Sequence, residues 1–484
     1  MLKYNMEMKD KYVSPLCERY ADEKMQRIFS ADNRYSTWRK LWVALAESEK
    51  ESGLDFITDE QIAEMKAHLY DIDYEKENEY ERSLRHDVMA HIYTYGDVCP
   101  KARGIIHLGA TSCYVTDNAD ILLMREGLEE IRVLLLNAIK AVSDFADKYK
   151  ALPILAYTHF QAAQPTTLGK RATLWLNDLV EDYKRIEFEI SNLKFFGCKG
   201  TTGTGASFLQ LFKDEEKVFN LEKLIAAKFG FKDIVPVSGQ TYSRKTDSFV
   251  LNTLSAVAQS AAKFSSDIRL MCHMKEVDEP FENKQIGSSA MAYKKNPMRS
   301  ERIASLARYV MIDSLNPAIT EAQQWLERTL DDSANKRISV PEAFLATSGI
   351  LNLYINVISG LNVYEKVIAK NLDRELPFMA TENILMYLVE EKGFDRQWAH
   401  EKIRMHSVAA GNNVKIEGGE NDLISRLVGD KELCLTEEEV KKIFDAHGFC
   451  GLAEKQTENF LKSVNEEILV KNAALLGIKA EVNV

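Results

Sequence analysis

Between Val250 and Met271 apolar residues recur at Val250, Leu254, Val257, Ala261, Phe264, Ile268 and Met271, in steps of four and three without a fault. Only a helix keeps all seven on one side, and a stripe of that length demands a second apolar helix face along it. Two more segments repeat the spacing: Leu128, Ile131, Leu135, Ile139, Val142 and Phe145 within 117–148, and Ala172, Trp175, Leu179, Tyr183, Ile186, Ile190 and Leu193 after Thr166. A fourth helix is predicted to open at Pro297 with Asn296 as its cap, and a fifth to follow Pro341 with Phe344, Leu351, Ile355 and Ile358 on one side. Strand-like alternation is scarce, and ten prolines and 23 glycines in 484 residues leave room for long helices. The expected class is all-α, built on a central bundle of long helices whose unbroken seam suits packing across subunits.

A formal net charge of -11 and no long basic run argue against a nucleic-acid surface. Seven scattered cysteines without a C-x-x-C pair argue against a disulfide framework or a zinc site and for a reducing compartment. The start, MLKYNMEMKDKY, has no apolar signal stretch, and no run looks long enough to cross a membrane, so a soluble cytoplasmic protein is expected. The charge-rich 71–85 segment reads as a solvated helix or linker. From about Asn371 glycines punctuate shorter helical pieces, which suggests a separate C-terminal helical domain.

The polar segments gather at helix junctions. In 282–301, ENKQIGSSAMAYKKNPMRSE, Gly287 precedes two serines, Lys294 and Lys295 follow, and the positive end of the coming helix is expected to face back toward them. That is a hinge able to close over an anion and a place for serine chemistry. LRHDVMAH at 84–91 contains no H-E-x-x-H; Arg85, His86 and Asp87 suit either an anion clamp or a plain helix-surface ion pair. HLGATSCYVTDN offers Thr111 and Ser112 as donors at a loop before a helix, and THFQAAQPTT sets His159 in a loop before another. KGTTGTGASF lacks the Gly-Lys-Ser/Thr of a phosphate loop and reads as a flexible turn lining a site or a helix junction. Arg328, Ser333 and Arg337 in WLERTLDDSANKR fit an anion site or an exposed salt-bridge network equally well.

Taken in order, GATSCYVTDN, THFQAAQPTT and GSSAMAYKKNPMRSE resemble the three separated segments of the fumarase/aspartase superfamily. SPLCERYA, LRHDVMAH, KGTTGTGASFLQLF, SGQTYSRK and ERTLDDSANKR look like those of its adenylosuccinate lyase family, and the match runs over nearly the whole chain. The resemblance implies an all-helical, three-part subunit, divided here at 1–112, 113–365 and 366–484, and a homotetramer with each active site built from three chains. It implies β-elimination of fumarate from adenylosuccinate, giving AMP, and from the succinyl-carboxamide ribotide of purine synthesis (SAICAR), giving AICAR. Ser288 is then the general base, His159 the acid that protonates the departing nitrogen, and Lys294 a stabiliser of developing charge. Arg19, Tyr20, Arg85, His86, Asp87, Thr111, Ser112, Gln240, Lys294, Asn296, Arg302, Arg328, Ser333 and Arg337 look like substrate-binding groups, with His86 either on the phosphate or supporting the acid. No metal or organic cofactor is implied. Two departures stand out: Ala292 occupies the loop position where the family has proline, and Ala162 follows Gln161 where many relatives have proline. A helical scaffold without catalysis, or a sister lyase for argininosuccinate, aspartate or malate, are the alternatives; the sister enzymes should lack the LRHD and TTGTGAS pieces.

Overall fold

The structure is a computed structural model that describes residues 11–480 and 482, apart from 283 and 445. Long helices dominate it: α1 (Ala31–Glu51), α2 (Tyr74–Leu84), α3 (Asp87–Val98), α4 (Ser112–Lys148), α5 (Leu168–Asn192), α6 (Lys245–His273), α7 (Met298–Asp313), α8 (Leu315–Ala322) and α9 (Asp331–Gly360). The α6 seam is buried as its spacing requires, with Val250, Leu254, Val257, Ala261, Phe264 and Ile268 all at 0% exposure. It packs against α5, α7 and α9, and Phe264 stacks on Tyr354 with ring centroids 3.8 Å apart and meets Trp175 edge-on at 5.2 Å. Each such side chain withdrawn from water contributes roughly 1.5–3 kcal/mol, so the seam is a principal source of the bundle's stability.

Two short helical pieces, Leu16–Tyr20 and Glu23–Ile28, lead into α1, which is capped by Ser30, whose hydroxyl accepts from Asn33 N at 3.2 Å. Met25, Trp38, Trp42 and Ile57 belong to the same continuous core as the bundle. A second apolar core, around Ile384, Leu388, Ile403, Leu423 and Leu433, forms in the shorter helices between 381 and 443. The helix Ala453–Val464 then returns to pack on α4 and α5.

Three sequence expectations change. The fifth helix begins ten residues before Pro341 and carries that proline inside it. By length and composition α9 is apolar enough to cross a bilayer, contrary to the expectation that no run is; here its side chains fill the bundle interior. THFQAAQPTT, expected as a loop, belongs to a hairpin of β1 (Pro153–Thr158) and β2 (Gln161–Thr167). Thr158 pairs with Gln161, so His159 and Phe160 are the whole turn, with φ of 52° and 56°. A second small pair, β3 (Val277–Asp278) with β4 (Asn362–Val363), ties the end of α6 to the segment entering α10 (Glu365–Met379).

Candidate active site

The first constellation lies where α3, α4 and α9 begin. His86 caps α3 by accepting Met89 N at Nδ1, 3.3 Å away, so that nitrogen is bare and the ring proton belongs on Nε2, which sits 3.3 Å from Ser112 Oγ. Asp87 is ion-paired to Arg337; burial would raise its carboxyl, but that guanidinium holds it below the usual range. Gln240 reaches the same place, its Oε1 3.6 Å from the Cys113 thiol and its N donating to Glu327 O at 3.0 Å. Gly203 has φ 79°, and a Cβ there would lie 1.9 Å from Ser238 O, so the glycine-rich turn seats the segment that carries Gln240. The segment is a turn at a helix junction, as expected, with Gly205 the N-cap residue of the helix Ala206–Phe212, and Gly203 makes the close backbone contact.

Arg328 precedes α9 and donates through NH1 to both oxygens of Asp332, at 3.1 and 2.9 Å. Asp332 also accepts from Arg244 Nε at 2.7 Å, and Arg244 forks onto Asp117 at 3.0 and 3.2 Å. Thr111 is the N-cap residue of α4, Ser333 lies in the first turn of α9 and Arg85 ends α2 at φ 55°, one residue before His86. The basic, amide-rich helix ends of this constellation can bind an anion.

The second constellation is the 282–301 segment, where four expectations are revised or sharpened. Asn296 does not cap α7; its amide donates to Gly287 O at 2.8 Å, and Pro297 is the N-cap residue. The positive end of α7 does not face the serines, because buried Glu279 occupies it, accepting Arg299 N at 3.0 Å and Ser300 N and Oγ at 2.6 Å each. Gly287 is no hinge: it is buried, and a Cβ would lie 2.3 Å from Lys294 O, so it lets the two arms of the loop meet. Ser288 Oγ accepts Ala290 N at 3.3 Å and Met291 N at 3.1 Å. Lys295 pairs with Asp278 at 3.5 Å, whereas Lys294 is exposed beside the tip and Arg302 sits in the second turn of α7.

His159 is exposed at the hairpin tip. The hairpin is held at its base by Arg171, which donates to Leu155 O at 2.7 Å, and by Leu155 packing on Leu372 and Leu376 of α10. Tyr20, next to Arg19 in the chain, lies against Gly349 of α9, twelve residues and so about 18 Å along the helix from Arg337.

One chain therefore does not bring these groups together. The first constellation lies at the start of α6 through Arg244, and the Ser288 loop follows its far end; 29 residues of helix separate them by about 40 Å. Sequence reasoning missed Asp332, Arg244 and Asp117, which read as ordinary charges, and Glu279, which lies about twenty residues from the amides it caps. It also left His107 without a role: Trp42 donates to its Nδ1 at 2.9 Å, and burial lowers its pKa to about 4, so it is a neutral ring with its proton on Nε2.

The chain is a bundle of long helices with a separate serine loop, and residues 15–312 match the family described as Lyase, which makes it a helical lyase. Residues 377–460 match the family described as Adenylosuccinate lyase C-terminus. The adenylosuccinate lyase of Saccharomyces cerevisiae is 50% identical over 463 residues, 95% of this chain and 96% of that one; that of Schizosaccharomyces pombe is 49% identical over 96% of each, and that of Schistosoma mansoni 44% over 94% and 95%. Two solved structures share the fold: a 3-carboxy-cis,cis-muconate lactonizing enzyme from Pseudomonas putida (TM-score 0.80, 21% identity, 93% of this chain and 98% of that one) and a fumarate lyase from Mesorhizobium sp. BNC1 (0.78, 23%, 93% and 99%). The chain belongs to the adenylosuccinate lyase family.

Proposed function

We propose that this enzyme cleaves adenylosuccinate to AMP and fumarate, and SAICAR to AICAR and fumarate, with Ser288 as base and His159 as acid. The observation that carries the assignment of Ser288 is its hydroxyl oxygen accepting two backbone N–H groups, since donors aimed at an oxygen favour its alkoxide. Ser288 Oγ takes the proton from the carbon beside a substrate carboxylate, and the electron pair left there forms the new double bond. The C–N bond breaks, its electrons go to nitrogen, and His159 protonates that nitrogen. Lys294 stabilises the charge gathering on the carboxylate. Arg328, Arg337, His86 and Ser112 bind the anionic ends of the substrate, together with Arg19, Tyr20, Arg85, Asp87, Thr111, Gln240, Asn296, Arg302 and Ser333. The turn around Ser288 takes its hydrogen bonds from Ala290, Met291 and Lys294 amides, so Ala292 costs it none.

The enzyme is a homotetramer with sites shared between three chains. Two features support this: the separation of about 40 Å between the helix-end constellation and the Ser288 loop, and apolar side chains uncovered on neighbouring helices, with Ile312 68%, Leu315 54% and Ile319 62% exposed. Further copies of this chain are the occupants that also complete the chemistry. The free thiols among the described residues support a reducing compartment, the cytoplasm.

The test is the ultraviolet change on mixing adenylosuccinate with purified protein, beside Ser288→Ala and His159→Ala. Rapid turnover by wild type and near-complete loss in both variants is expected; an inert wild type or an undiminished Ser288→Ala overturns the reading. Sedimentation as a monomer overturns the shared site, and a fluorescent fusion confined to an organelle overturns the location.

A further inference from the structure

We infer that Asp332 is a positioning residue that aims the Arg328 guanidinium at the anionic substrate; this rests on the reaction and binding role proposed above. Asp332 is fully buried, whereas its partner Arg328 is 22% exposed at the side chain. The pair therefore has one end fixed in the core and one end presented to solvent. Arg328 spends NH1 alone on the carboxylate, at 3.1 and 2.9 Å, which leaves the donors of NH2 and Nε for a ligand. Gln240 N donates to the carbonyl of Glu327, the residue before Arg328, at 3.0 Å, and Gln240 Oε1 accepts from the Cys113 thiol at 3.6 Å, which ties the Arg328 segment to the first turn of α4.

What holds Asp332 is a second cation that never reaches solvent. Arg244, 1% exposed, donates to Asp332 at 2.7 Å and forks onto Asp117, itself fixed by Tyr242 N at 3.1 Å. The starts of α4, α6 and α9 are thus bolted together by Asp117, Arg244 and Asp332, and Arg328 is the one member aimed outward. The two carboxylates, Asp332 and Asp117, match the two guanidiniums of Arg244 and Arg328, so Asp332 is held by charge from both sides and fixes the outer guanidinium when no ligand is bound. Preorganised donors of this kind act mainly on substrate binding, because no ordering cost is left to meet at that step.

The test is steady-state kinetics on the full-length enzyme with adenylosuccinate, using Asp332→Asn, Asp332→Glu, Arg328→Gln and the Asp332→Asn/Arg328→Gln double variant. Asp332→Glu keeps the charge while displacing the guanidinium by a methylene. Both Asp332 variants are expected to raise KM by about tenfold or more, the worth of one charge-assisted hydrogen bond, with kcat changed by less than about threefold. In the Arg328→Gln background Asp332→Asn should add less than about twofold, because its effect runs through Arg328. Unchanged KM in a folded variant, equal losses in KM and kcat, or additive effects in the double variant overturn the inference. So does failure of both Asp332 variants to fold, which would assign the residue to the core alone. An inert wild type defeats the proposed reaction and this inference with it, whereas an active wild type beside indifferent Asp332 variants defeats this inference alone.

Discussion

Glu49 gives the sharpest test of the electrostatics of this fold. It sits in α1 at 0% exposure with neither carboxylate oxygen hydrogen-bonded, beside the likewise unpaired hydroxyls of Ser48 and Ser52. Burial pushes its pKa from 4.5 to about 9, so the folded protein holds a proton that the unfolded chain has released across that window. Folded-state stability contributed by this group is complete below pH 4.5 and falls as pH rises, by about 1.4 kcal/mol per unit, until the folded-state pKa is passed. At pH 7 the wild type is about 3 kcal/mol less stable for carrying an ionisable group at this position. Glu49→Gln keeps the shape and the polar atoms and removes only the ionisation. Urea unfolding of both proteins at fixed concentration, at pH 5.5, 7 and 8.5, should give a stability advantage for the variant that widens by about 1.4 kcal/mol per unit. A gap that stays constant with pH, or a variant less stable than wild type at pH 8.5, would refute a neutral buried Glu49.

Two further predictions concern the loop. Gly287→Ala must move the Lys294 carbonyl from a Cβ 2.3 Å away, so activity should fall at least about tenfold while the unfolding midpoint shifts little; wild-type turnover in the variant would disprove the tight contact as a functional feature. Glu279→Gln turns an amide N–H against Arg299 N and weakens the bonds from Ser300, costing about 2–3 kcal/mol; denaturant unfolding that matches wild type would show that this carboxylate does not hold the start of α7.

What was legible in the sequence was local. Seven residues from Val250 to Met271 announce α6 because their periodicity is set by the helix alone, and all are buried in the place expected. The α7 cap was misread because Asn296 has the right chemistry for a cap, but Glu279, distant in sequence and close in space, wins the amides as a charged and buried acceptor. Pro341 reads as a helix start; inside α9 the packing of Phe344, Leu351 and Ile358 outweighs the one hydrogen bond it forfeits. The hairpin was invisible for a different reason. A two-residue turn with positive φ normally announces itself as Asn-Gly or Asp-Gly, and here it is His159-Phe160. Among the proposed site residues, the sequence brought forward those on helix ends and in the loop, but the ion network behind Arg328 is made of acids and bases up to 215 positions apart, Asp117 to Asp332, and no spacing reveals it.

The hairpin turn is where the costs of the fold and the needs of the reaction meet. Holding two bulky non-glycine residues at positive φ costs about 1–2 kcal/mol each, and such strain survives only where the surroundings impose it. Here they do: Arg171 clamps the Leu155 carbonyl, and Leu155, Leu372 and Leu376 form an apolar core of their own beneath the strands. The Ser288 loop is built on the same plan, tied at its base by Glu279, Asn296 and Lys295 and bare at its tip, where Tyr293 is 85% exposed. Both proposed reacting groups thus stand on extended structures with rigid feet, while the proposed anion-binding groups are set into helix ends stiffened by buried ion pairs. A chain built this way can offer its acid and base outward only if another surface receives them. The helix-end constellation lies about 40 Å from the loop of its own chain, so the strain held in the hairpin serves the proposed reaction only through the shared site proposed above.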